Sequence, residues 1–140
     1  MNIKSLSLFF ITAIMIMGCK KTEEPNTEDS IEGIWLMVNK TGGFAGVDCD
    51  YDIGLISWTF DSSTLTIDNT DTLNTIPMLC EELDSASFPY SILDVDGDSF
   101  LIWNNEEQGG ITISDNELII DQNRVSNGAG ADGFIWRFER

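Results

Sequence analysis

The chain of 140 residues carries 24 acidic against 7 basic side chains and no histidine, for a formal net charge of −17. Such acidity disfavours nucleic acid and anionic surfaces as partners, because phosphates are repelled; its plain meaning is solubility. Without histidine there is no Ser-His or Cys-His nucleophile and no histidine zinc site, and no motif calls for a cofactor, so the chain is not expected to be an enzyme.

Residues 6–17 are apolar apart from Ser7 and Thr12, and Lys4 precedes them. That is the charged start and short apolar run of a secretory signal, well below the roughly 20 residues a membrane helix needs. The run stops at Ile16-Met17-Gly18-Cys19, which resembles the lipobox of bacterial lipoproteins. The resemblance implies removal of residues 1–18 and palmitate-type acylation of Cys19, which becomes the first mature residue. Several acyl chains at ~0.8 kcal/mol per buried methylene anchor a protein to a membrane almost permanently. From Lys20 to Ser30 the chain (KKTEEPNTEDS) has no large apolar residue and contains Pro25. Residues 19–30 therefore read as a lipidated cysteine and a flexible tether, reaching ~20 Å on average. Lysine followed by Glu23-Glu24 looks like the surface-export signals of Bacteroidota lipoproteins. The expected location is the cell envelope, on the outer membrane, at its periplasmic face or the cell surface.

About 110 residues remain, enough for one domain with one core. With Cys19 lipidated, Cys49 and Cys80 are left as a pair outside the cytoplasm, where a disulfide is the natural state. Residues 33–39 open a series of β-periodic segments. Ile56-Ser57-Trp58-Thr59-Phe60 and Thr64-Leu65-Thr66-Ile67-Asp68 alternate apolar with polar around Asp61-Ser62-Ser63. Residues 68–87 are polar with scattered apolar positions and read as a long loop or irregular strand, pinned by the disulfide to 42–52. Residues 90–95 and 99–103 flank Asp96-Gly97, a hairpin signal, and 111–113 and 117–121 flank Ser114-Asp115-Asn116. Residues 133–139 close the set of eight strands. Helical periodicity is absent, a single turn near 42–47 or 78–84 aside. Strands at this spacing fit a sandwich or a meandering barrel.

Gly33-Ile34-Trp35 at the first strand resembles the lipocalin signature. Thr41-Gly42-Gly43-Phe44-Ala45-Gly46 is similar to the loop after that strand in small lipocalin-like lipoproteins of the Bacteroidota, and Asp132-Gly133-Phe134-Ile135-Trp136-Arg137-Phe138-Glu139-Arg140 is similar to their last strand. The resemblance implies an all-β, antiparallel, up-and-down barrel of eight strands over 31–140, with a mouth for a small apolar ligand. In that family the tryptophan plugs the base and stacks on a late arginine. Trp35 would take the first role and Arg137 or Arg140 the second, a cation–π contact of ~0.5–2 kcal/mol. The chain is shorter than typical lipocalins, and 68–87 lacks a clean strand.

Trp58, Phe60, Phe100, Trp136 and Phe138 fall at alternating positions and are expected to share the inward faces of their strands. They either line a ligand pocket or fill the interior, since eight strands leave a bore barely wide enough for one small ligand. Asp48, Asp50 and Asp52, and likewise Asp94, Asp96 and Asp98, begin like calcium loops, but the sixth and twelfth positions are wrong in both, so no metal site is expected. Asp29-Ser30-Ile31, Asp71-Thr72-Leu73 and Asp84-Ser85-Ala86 match a Bacteroidota O-glycosylation acceptor, a match that chance also supplies. The expectation is a monomeric, membrane-anchored barrel that binds a small apolar molecule. The alternative is an envelope interaction module with a filled barrel and working loops, which exposed apolar residues at 42–47, Phe44 above all, would favour.

Overall fold

The computed structural model describes residues 30–72 and 75–140; the signal segment, Cys19 and most of the tether lie outside them, as do Asp29 and Leu73 of the acceptor motifs. Among the described residues eleven strands follow one another: β1 (Gly33–Gly42), β2 (Val47–Asp50), β3 (Ile56–Asp61), β4 (Thr64–Asn69), β5 (Ala86–Val95), β6 (Asp98–Trp103), β7 (Glu106–Ser114), β8 (Glu117–Asp121), β9 (Arg124–Val125), β10 (Gly128–Ala129) and β11 (Phe134–Glu139). The sheet runs β11-β8-β7-β6-β5-β4-β3-β1 with each neighbour antiparallel, and β11 pairs back onto β1. The result is a closed, up-and-down, lipocalin-like barrel of eight strands. An extra strand, β2, pairs with the rim half of β1 on the side where β3 pairs with its base half, and β9–β10 form a small ribbon. Closure removes the exposed edges an open sheet would present.

Turn chemistry drives the meander. At the β5–β6 turn Asp96 and Gly97 both have positive φ, 54° and 91°, the backbone that a two-residue hairpin with the right twist requires. Asn104 and Asn105, at 50° and 65°, do the same for β6–β7. Register divides the molecule into two ends. The base holds the β3–β4, β5–β6 and β7–β8 turns with Arg140; the rim holds the loops joining β1–β2, β2–β3, β4–β5, β6–β7 and β8–β11.

The single helical turn of the described chain is Met78–Cys80, shorter than the 78–84 considered from sequence, and 42–47 forms the β1–β2 turn instead. β5 begins at Ala86 and β7 at Glu106, earlier than the alternation indicates. One placement differs from expectation. Phe100 pairs with Leu93 and Gly110 on the outer face of β6, whereas Leu101 and Trp103 point inward. Its ring is buried all the same, on a face where the Arg124 side chain lies against Gly110 and bonds Asp98 and Thr112. The cause is that 99–103 is apolar on both faces, so alternation alone does not fix its phase.

Candidate functional site

The middle of the barrel interior is full of rings. Trp58 is central: its ring centroid lies 4.9 Å from that of Phe138, 5.2 Å from Trp103 and 5.6 Å from Trp136. Phe60 meets Tyr90 edge-on at 5.1 Å, and Phe88 stacks on Trp103 at 5.8 Å. These separations are those of packed aromatic pairs. Thus Trp58, Phe60, Trp136 and Phe138 do converge, while Phe100 does not join them. Trp103, Phe88 and Tyr90 complete the cluster. Within it the buried indole N–H of Trp136 has no hydrogen-bond partner.

The base is plugged. Trp35 is fully buried, its Nε1–H donates to the Ile31 carbonyl at 2.7 Å, and the Arg140 guanidinium lies over its ring at 4.4 Å. Arg140 also donates to the Ser30 carbonyl and is the arginine of the pair. Arg137 points outward and forms a surface ion pair with Glu117 at 3.2 Å. Near the base a recess of about 280 Å³ is lined by Ile31, Ile92, Ser99, Ile111 and Ile113.

The rim is closed by the loop between β4 and β5. Cys49 and Cys80 form a disulfide that ties this loop to β2, as the sequence indicated. A bulge at Val38 shifts the phase of β1, so that Lys40, opposite Trp136, turns inward. Its ammonium meets the Glu82 carboxylate at 2.6 Å, donates to the Glu81 carbonyl at 2.9 Å and sits 4.8 Å from the centre of the Phe134 ring. Both side chains of the ion pair are 5 % exposed. Tyr51 donates to the Cys80 carbonyl at 2.7 Å and to Glu82 at 3.3 Å. Burial, and then the Glu82 charge beside it, push the Tyr51 phenol well above its usual range. Sequence reading missed this latch; the lone lysine after the tether, in so acidic a chain, was its only trace.

Outside the latch, the rim loops expose large apolar side chains. Phe44 is 94 % exposed, Met78 78 %, Ile53 71 % and Leu79 64 %. Among them stand Asp48, Asp50 and Asp52, all exposed, with the Asn39 amide donating to Asp48 and Asp50. The other aspartate series is occupied structurally: Ser99 donates to Asp94 at 2.6 Å, and Asp98 pairs with Arg124. Among the described residues no group of three or more acidic, cysteine or histidine side chains is arranged to hold a metal ion.

Fold and site together define a small closed barrel with a ring-filled interior, a plugged base and a latched rim bearing apolar knobs. Compared with protein-family models, curated proteins and solved structures, the chain matches none.

Proposed function

We propose that the protein is a lipid-anchored module of the cell envelope that works through its rim, where it engages a protein partner. The observation that carries this reading is the set Phe44, Ile53, Met78 and Leu79, exposed on loops that one disulfide ties together. Large apolar side chains exposed at one end of a closed barrel are what a protein-interaction surface would present. Packing of the rings around Trp58 supports the same reading, because it leaves the middle of the barrel to side chains. The lipobox at Cys19 supports the anchor. The Ser30 carbonyl accepts from Arg140 at the base, so a tether from Cys19 would join the barrel at the end opposite the rim. Acidic rim residues make a second, anionic membrane an unfavourable partner.

The test is the size of the native complex in gently solubilised membranes. Wild-type protein should migrate in an assembly larger than itself, and the triple variant Phe44→Ser/Met78→Ser/Leu79→Ser should migrate alone with unchanged thermal stability. Equal migration of the two sinks the rim reading. Cys19→Ser should release the protein from membranes, and unchanged partitioning would sink the anchor.

Two observations favour a second reading, binding of a small apolar molecule. One is the apolar recess around Ile111 and Ile113, and the other is the unpartnered Trp136 indole N–H. Native mass spectrometry after purification from membranes decides between them: a reproducible apolar adduct of defined mass favours the ligand, and a bare mass favours the rim.

A further inference from the structure

The extra strand β2 has one partner. On one side its residues pair with Asn39–Gly42 of β1; among the described residues no strand pairs with the other side. Tyr51 N–H donates to the Val38 carbonyl, so Tyr51 and Cys49 direct their backbone groups towards β1. Backbone groups alternate in direction along an antiparallel strand, so the N–H and C=O of Asp48 and Asp50 face away from it. Beside this edge runs a groove of about 400 Å³, bounded by Asp48, Asp50 and Asp52 on one wall and Ile76 and Pro77 on the other, with the Cys49–Cys80 disulfide between. Phe44 stands just before the strand and Ile53 just after it.

An edge with outward-facing backbone groups is a template for one more strand. Its chemistry selects the occupant. Asp48 and Asp50 lie on one face of β2, about 7 Å apart, the repeat at which an added strand presents alternate side chains. A second copy of this chain would bring its own aspartates against these. A segment with lysine or arginine at alternate positions would neutralise them and place its intervening side chains towards Ile76 and Pro77. We propose that the free edge of β2 binds an extended segment of a partner protein, alternating basic and apolar residues, as an added antiparallel or parallel strand. The proposal rests on the rim reading and names the partner chemistry for it.

The test uses the full chain in neutral detergent at physiological ionic strength. The probes are a synthetic peptide alternating lysine and valine, a peptide of the same composition in blocks, and a glutamate–valine counterpart. The alternating basic peptide should bind at least tenfold more tightly than the block peptide, and the acidic one should not bind. Amide exchange at Asp48 and Asp50 should slow at least tenfold on binding. Asp50→Pro, which removes an outward donor at an edge position that tolerates proline, should abolish the preference. Asp48→Asn/Asp50→Asn, which keeps the shape of the strand, should weaken binding and flatten its salt dependence. Equal binding of the alternating and block peptides, or unprotected amides at Asp48 and Asp50, overturns the proposal. A native complex that survives Asp50→Pro but is lost in the Phe44/Met78/Leu79 variant also overturns it while leaving the rim reading intact. Absence of any complex from wild-type protein defeats both.

Discussion

Replacing Glu82 by alanine isolates the Lys40 ammonium at the rim. In the native protein that charge has the Glu82 carboxylate at 2.6 Å, the Glu81 carbonyl and the face of Phe134, with both ionic side chains 5 % exposed. Removing one partner of so buried a pair leaves an uncompensated charge, which costs about 3–5 kcal/mol. For a domain of about 110 residues, with an unfolding entropy near 2.1 cal/mol/K per residue, that is a fall in Tm of about 13–22 °C. Replacing both partners by apolar residues of similar volume, Lys40→Met with Glu82→Leu, removes the charge as well as its partner. The double variant should lie within about 1 kcal/mol of wild type or above it. Thermal unfolding followed by tryptophan fluorescence, with the disulfide intact, gives the full double-mutant cycle. A Glu82→Ala cost below 1 kcal/mol, or a double variant no more stable than the single one, would refute the buried latch.

Three further outcomes test the frame around it. Reducing Cys49–Cys80, or replacing both cysteines by serine, frees a loop whose ends are 31 residues apart and should cost on the order of 3–4 kcal/mol; a change below 1 kcal/mol in denaturant titration would contradict the tie. Gly109→Ala should destabilise by about 1–3 kcal/mol, because φ is +140° there and an added Cβ would collide with the Asp121 backbone; unchanged stability would count against that close approach. The raised Tyr51 phenol means that the folded protein keeps a proton the unfolded chain releases. Its contribution is complete below the ordinary tyrosine value near 10 and is lost as pH climbs towards the folded value. Stability should therefore fall above pH ~10, less steeply in Tyr51→Phe, and parallel slopes for the two proteins would refute the assignment.

What could be read from the sequence was whatever depends on neighbours in the chain. Ile56–Asp61 and Thr64–Asn69 alternate cleanly and form β3 and β4 with Trp58 opposite Ile67. The turn at Asp96-Gly97 lies where its chemistry places it. Gly33-Ile34-Trp35 led to a buried Trp35 under a C-terminal arginine, and contact geometry alone decided for Arg140 over Arg137. Long-range effects stayed hidden. Pro89 obscured the first half of β5, and Gly109-Gly110 obscured β7, because neither residue type favours a strand interior. The bulge at Val38 reversed the phase of β1, so strict alternation would put Asn39 inside and leave Lys40 in water. The partner of Lys40 comes from an irregular loop about forty residues on, where no periodic signal exists.

Site-specific photocrosslinking in cells that naturally make the protein would reveal a partner at the rim. A photoreactive side chain at Phe44 or Met78 samples the rim; the same group at Ile34 or Leu93, apolar positions exposed on the barrel wall, samples the rest of the surface. One discrete adduct of constant mass is expected from both rim positions and none from the wall. Adducts of equal yield from wall and rim, or none from the rim in cells where the protein is abundant, would contradict the rim reading.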